Sequence, residues 1–155
     1  MAAVLIAWRQ GVLVPAEKIR SKIAEFEFLN RKDIQLLQYF LPVVLPFQKW
    51  TVEEVSSFSS RLDMTISLMT PKVQGDIRQL FDLFDLKPVV WFYGLASIES
   101  ASVQKRSQLL SSLKKSRLKD FRAAANGFCE LLSAVHYSNP DSYKDLGYEA
   151  PLELL

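Results

Sequence analysis

Few side chains in this chain have chemistry to offer, and their spacing decides what that chemistry can be. His136 is the sole imidazole and Cys129 the sole thiol. They lie seven residues apart, two turns of a helix, which sets both on one helical face. A helix-borne metal site needs a second ligand one turn away, yet neither a cysteine nor a carboxylate stands four residues before or after His136. A packed, hydrogen-bonded histidine and a buried cysteine acting as a small hydrophobe are the expected roles. Asp76, Asp82 and Asp85 could suggest paired carboxylates, but they read as the solvated face and last turn of a helix. No phosphate-cradling loop, dinucleotide glycine fingerprint or nucleophile elbow occurs. No catalytic residue, metal site or cofactor is therefore expected in this chain.

Two other groups of residues suit binding better than reaction. Lys105, Arg106, Lys114, Lys115, Arg117, Lys119 and Arg122 are set against a single acid, Asp120. A basic 105–122 face of this kind could meet an acidic protein surface or nucleic-acid phosphates. Phe121 and Phe128 fall on the apolar stripe and offer no stacking platform, so nucleic acid is not the expected partner. The second group is the chain's end, where Tyr137, Pro140, Tyr143, Leu146, Gly147, Tyr148 and Pro151 make a turn-rich aromatic tail. Asn139-Pro140 can cap and start a short helical turn, and Gly147 can supply a positive φ. His136, Tyr143 and Tyr148 would then present rings with polar tips to one side, as interface anchors do. The same tail could instead fold back over Leu132 and Val135.

These residues must be positioned by helices. The chain has 155 residues, 49% of them hydrophobic and 23% charged, with a net charge of +2, which fits one globular domain and neither a disordered nor a membrane-embedded chain. That single helical domain spans 1–155, with an N-terminal apolar arm over 1–14 and the C-terminal tail over 137–155. The longest N-terminal apolar run, Met1 to Trp8, falls far short of the roughly 20 residues a bilayer span requires. It reads as an arm that docks elsewhere, a remnant of an export leader or a first core helix.

Pro15 opens a short helix that runs to Ile23. Asn30, with Asp33 three residues on, caps a helix carrying Ile34, Leu37, Phe40, Leu41 and Val44, which Pro42 should kink or end early. Thr51 and Glu54 form a capping box ahead of Val55, Phe58, Leu62, Ile66 and Met69. Thr70-Pro71 starts a third helix with Val73, Ile77, Leu80, Phe81 and Phe84 inward. Val89 to Gly94 is expected as a buried helical turn or crossing. From Ile98 to Leu113 the pattern places Val103, Leu109, Leu110 and Leu113 inward and Lys105, Arg106, Lys114 and Lys115 outward. Leu118, Phe121, Ala125, Phe128, Leu132 and Val135 mark a last helix of about 20 residues, in which Ala123 to Ala125 and Gly127 allow close approach. The sum is an all-α bundle with an extended, turn-rich C-terminal tail.

The order of these features resembles a known family. Phe28-Leu29-Asn30-Arg31-Lys32-Asp33, then Leu36-Leu37 and Leu41-Pro42-Val43-Val44-Leu45-Pro46, with the tail from Tyr137 to Pro151, is similar to the small (gamma) subunits of bacterial FAD-dependent dehydrogenases, the gluconate 2-dehydrogenase subunit 3 group. The family tail reads Tyr-x-x-Pro-x-x-Trp-x-x-Ile/Leu-Gly-Tyr-Pro-Gly-Pro, and Tyr137, Pro140, Leu146, Gly147, Tyr148 and Pro151 stand at matching positions. Tyr143 takes the place of the tryptophan, and Glu149-Ala150 that of Pro-Gly. The resemblance implies a non-catalytic subunit that binds and stabilises a large flavoprotein of the glucose-methanol-choline type. FAD would reside in that partner, and a cytochrome c subunit can complete the complex. It further implies an interface through His136, Tyr137, Pro140, Tyr143, Leu146, Gly147, Tyr148 and Pro151. Periplasmic or complex-mediated membrane location is implied too, although no twin-arginine leader stands in this sequence.

Overall fold

The computed structural model describes residues 26–85, 96–139 and 142. The expected arm over 1–14, the short helix from Pro15 to Ile23, the Val89 to Gly94 crossing and the tail positions Pro140, Tyr143, Leu146, Gly147, Tyr148 and Pro151 lie outside the described residues. Within them the architecture is an all-α bundle of five helices: α1 (Arg31–Val44), α2 (Val52–Ser67), α3 (Pro71–Asp85), α4 (Val103–Lys114) and α5 (Lys119–Tyr137).

Local chemistry sets the helix starts. The Asn30 side chain accepts the backbone N–H groups of Lys32 at 2.8 Å and Asp33 at 3.1 Å, while Asp33 reaches back to the Asn30 N–H at 2.8 Å. Thr51 and Glu54 repeat this reciprocal capping at the start of α2. Pro71 occupies the first position of α3, where a missing N–H costs nothing. Of the two effects expected of Pro42, an early end to α1 does not occur. Near a helix C-terminus it removes one amide donor, and the Leu45 N–H still closes on the Leu41 carbonyl at 2.8 Å. The carboxamide of Gln74 in α3 donates to the carbonyls of Ile66, Ser67 and Met69, so α3 caps the end of α2.

Helices α1 and α5 sit at the centre, each packing against the other four. Their apolar stripes meet at Phe128, whose ring lies 4.7 Å from Phe84, 5.7 Å from Phe40 and 5.8 Å from Phe81, centroid to centroid. Leu37, Leu41, Leu62, Ile66, Leu113, Ala125 and Leu132 complete the buried core. At Gly127 an added Cβ would meet Leu80 Cδ1 at 3.5 Å, an ordinary contact, so α3 packs on α5 there without requiring a glycine. Val73 and Val103, expected inward, are exposed because each lies in the first turn of its helix, beyond the reach of the core.

One buried acid joins the chain's described start to the bundle. Asp63, on the inner face of α2, is 6% exposed and accepts the backbone N–H groups of Glu27 at 3.0 Å, Phe28 at 2.9 Å and Leu29 at 2.7 Å. Arg78 of α3 closes the arrangement. Its guanidinium donates to Asp33 Oδ2 at 2.8 Å and to the Phe28 carbonyl at 2.7 Å, and it stacks 4.4 Å from the Phe28 ring.

Two outcomes follow from this packing. Asp63→Ala strands three amides in a half-buried setting and is expected to cost about 3 kcal/mol or more in urea unfolding, with Asp63→Asn losing less because it keeps one acceptor. Gly75 lies inside α3 with open space at its Cβ position. Gly75→Ala should therefore raise stability by up to about 1 kcal/mol in the same assay.

Candidate partner interface

Two of the residues expected at a partner interface, His136 and Tyr137, lie in the last turn of α5. Their surroundings are aromatic. Trp50, which immediately precedes the α2 cap, donates its indole N–H to the Leu45 carbonyl at 3.1 Å, which fixes the ring at the exit of α1. On one side it meets Phe58 edge-on at 5.6 Å; on the other its centroid lies 6.1 Å from that of His136. The half-buried imidazole in turn packs edge-on against Tyr137 at 4.9 Å. The loop after α1, the start of α2 and the end of α5 thus form one corner. Beyond the end of α5, Ser142 is buried and donates both its N–H and its hydroxyl to the Asn139 carbonyl.

Phe47, three residues before Trp50, is 96% exposed, and Tyr137 is 38% exposed. Tyr137, packed against His136 on one side and open to solvent on the other, would lose little conformational freedom on association. Among the described residues no group of three or more histidine, cysteine, aspartate or glutamate side chains is placed to hold a metal ion. Cys129 is half-buried and packs against the core.

Trp50 and Phe47 had no place in the sequence-derived site. The available signal was local: an aromatic residue just before an N-cap is the position from which a ring packs onto the following helix.

Other candidate features resolve differently. Arg106, expected on an outward basic face, is 6% exposed. It donates to the carbonyls of Ile98 at 2.9 Å, Glu99 at 3.1 Å and Tyr39 at 3.4 Å, and lies over the Tyr39 ring at 4.7 Å. The carbonyls of the segment before α4 need a donor, and a long guanidinium side chain supplies several at once. Burial pushes the Arg106 guanidinium below its ordinary value, with Tyr39 opposing. Burial likewise raises the Tyr39 phenol, Glu99 adding to the rise and Arg106 opposing it. Of the remaining cations, Lys105 is exposed on α4, Lys114 is half-buried, and Lys115, Arg117, Lys119 and Arg122 are exposed around the turn between α4 and α5. Leu118, expected inward, is 59% exposed at that turn because it occupies the N-cap position of α5.

Asp76 and Asp82 are solvated on α3, as their spacing suggested. A shallow depression of about 440 Å³ opens at the start of α1, lined by Asn30, Asp33, Leu36 and Phe81 among others. Of its polar side chains, Asn30 and Asp33 are engaged by the capping box, and Asp33 also by Arg78. Met64 and Leu68, one turn apart at the far end of α2, make a separate exposed apolar pair. They stand about 18 Å (Met64) and about 24 Å (Leu68) along the helix from its start beside Trp50.

No helix among the described residues is long and apolar enough to cross a membrane. Trp50→Ala is expected to destabilise the isolated chain by about 2–4 kcal/mol in urea unfolding, because it empties the space between Phe58 and His136. Phe47→Ser should stay within about 0.5 kcal/mol of the unchanged chain. Compared with family models, curated proteins and solved structures, the chain shows no match to any.

Proposed function

We propose that this chain is a non-catalytic accessory small subunit that binds and stabilises a large FAD-dependent oxidoreductase of the glucose-methanol-choline type. FAD belongs to the partner, a cytochrome c subunit can join the complex, and the assembly is periplasmic or held at a membrane through the complex. The observation that carries this reading is the aromatic corner, where the Trp50–His136 contact continues to the exposed Tyr137 ring at the end of α5, with exposed Phe47 three residues before Trp50 in the loop after α1. Support also comes from the resemblance itself. Its first motif, Phe28 to Asp33, coincides with the segment gripped by Asp63 and Arg78, so those residue types have a physical task in this bundle.

A self-contained helical scaffold acting through the basic 105–122 face is the alternative. It retains the cations around the α4–α5 turn but loses Arg106 to the interior.

Purification of the tagged chain from its native cells tests the proposal. The expected result is a large flavoprotein and its flavin absorbance in the same fraction. Phe47→Ser combined with Tyr137→Ser should lower the recovered flavin about tenfold or more while leaving helical circular dichroism unchanged. Charge reversal at Lys114, Lys115 and Lys119 should leave it intact. Absence of flavin, or a flavoprotein whose level and activity do not respond to loss of this chain, overturns the reading.

A further inference from the structure

We propose that the turn between α4 and α5 docks on the surface of an anionic phospholipid bilayer, its cations meeting the headgroup phosphates and Leu118 entering the boundary with the acyl chains. From Lys114 to Arg122 the sequence carries Lys114, Lys115, Arg117, Lys119 and Arg122 against one acid, Asp120. Lys115, Arg117, Lys119 and Arg122 are exposed, and no ion pair engages them among the described residues.

The backbone that presents them is fixed. The Ser116 N–H donates to the Leu113 carbonyl at 3.0 Å, and the Leu118 N–H donates to the Ser116 hydroxyl at 3.2 Å. Arg122 donates to the Ser116 carbonyl at 3.0 Å, which ties the first turn of α5 to the loop. Preorganised side chains at the tip of a helical hairpin can face a flat surface together.

Leu118 decides among anionic partners. At 59% exposure it is the large aliphatic side chain at the centre of the cationic group. A phosphate backbone offers it nothing, and stacking on bases would call for an exposed ring. Phe121, the one ring of the turn, is half-buried and packs against the core. An apolar side chain ringed by cations matches the interface of an anionic bilayer, where hydrocarbon lies just beneath phosphate. This docking is independent of the flavoprotein reading, because it is measured without any partner protein.

The test is sedimentation of the full chain with vesicles of phosphatidylcholine alone or with roughly one third phosphatidylserine. The chain should bind the anionic vesicles alone, and binding should fall as salt shortens the Debye length from about 10 Å at 0.1 M. Lys115→Gln with Lys119→Gln is expected to weaken binding about 25-fold, close to fivefold per charge. Leu118→Ser should weaken it without altering the salt dependence. Lys105→Gln, about 14 Å away along α4, should leave it unchanged. Circular dichroism checks each fold, and the single substitutions replace any double variant that loses helicity. Equal binding to both vesicle types, no binding to either, or binding that ignores the turn substitutions overturns the proposal. Displacement from the vesicles by duplex nucleic acid acting through the same lysines would overturn it in favour of a nucleic-acid partner.

Discussion

A carboxylate taken out of water must be surrounded by donors, and Asp63 meets that demand with the peptide groups of Glu27, Phe28 and Leu29. This single side chain fixes where the chain enters α1. Once that entry is set, Asn30 is in place to cap the helix, and the Phe28 ring and carbonyl are in place to receive Arg78 from α3. Three helices are thereby registered against one another by polar contacts of defined direction. Apolar burial alone supplies more energy but less geometry, since a leucine stripe tolerates sliding that a hydrogen bond does not.

The opposite side of α1 is registered in a similar way. Arg106 brings α4 against Tyr39 of α1 and gathers the carbonyls of Ile98 and Glu99. Between these two polar anchors lies the aromatic centre around Phe128, packed in tilted and edge-on pairs. The corner at Trp50 is the outward end of this organisation. It is held by buried Phe58 and the Leu45 carbonyl and presents its remaining surface to solvent. A rigid support with an open face is what an interface needs. The α4–α5 turn has the same character with different chemistry, charge replacing rings.

What could be read from the sequence was what depends on near neighbours. The capping pairs Asn30–Asp33 and Thr51–Glu54, the proline at the start of α3 and the stripes through Phe40, Phe58 and Phe128 depend on residues a turn or two apart. The misread positions depend on partners distant in the chain or on a helix's exact start. Arg106 looked solvated because it is charged; it is buried because carbonyls of another segment needed donors. Leu118 and Val103 fit an inward spacing, yet stand at a cap and in a first turn, where the periodic pattern has not yet met the core. Of the aromatic corner, His136 and Tyr137 were legible from their place before the tail. Trp50 was not, because its contact with His136 joins segments more than eighty residues apart.

The hydrogen-bond partners of Asp63 and Arg106 are peptide groups, and peptide groups do not mutate. An ion pair such as Arg78–Asp33 can change through compensating substitutions on both sides, since each half is a side chain. A charge satisfied by amides or carbonyls has no counterpart that could change with it. In any lineage of this fold such a position is kept, or it is replaced together with the local backbone path. Asp63 should therefore vary little and without a correlated partner, and Asp33 and Arg78, each also bonded to a peptide group, are only partly free to change as a pair.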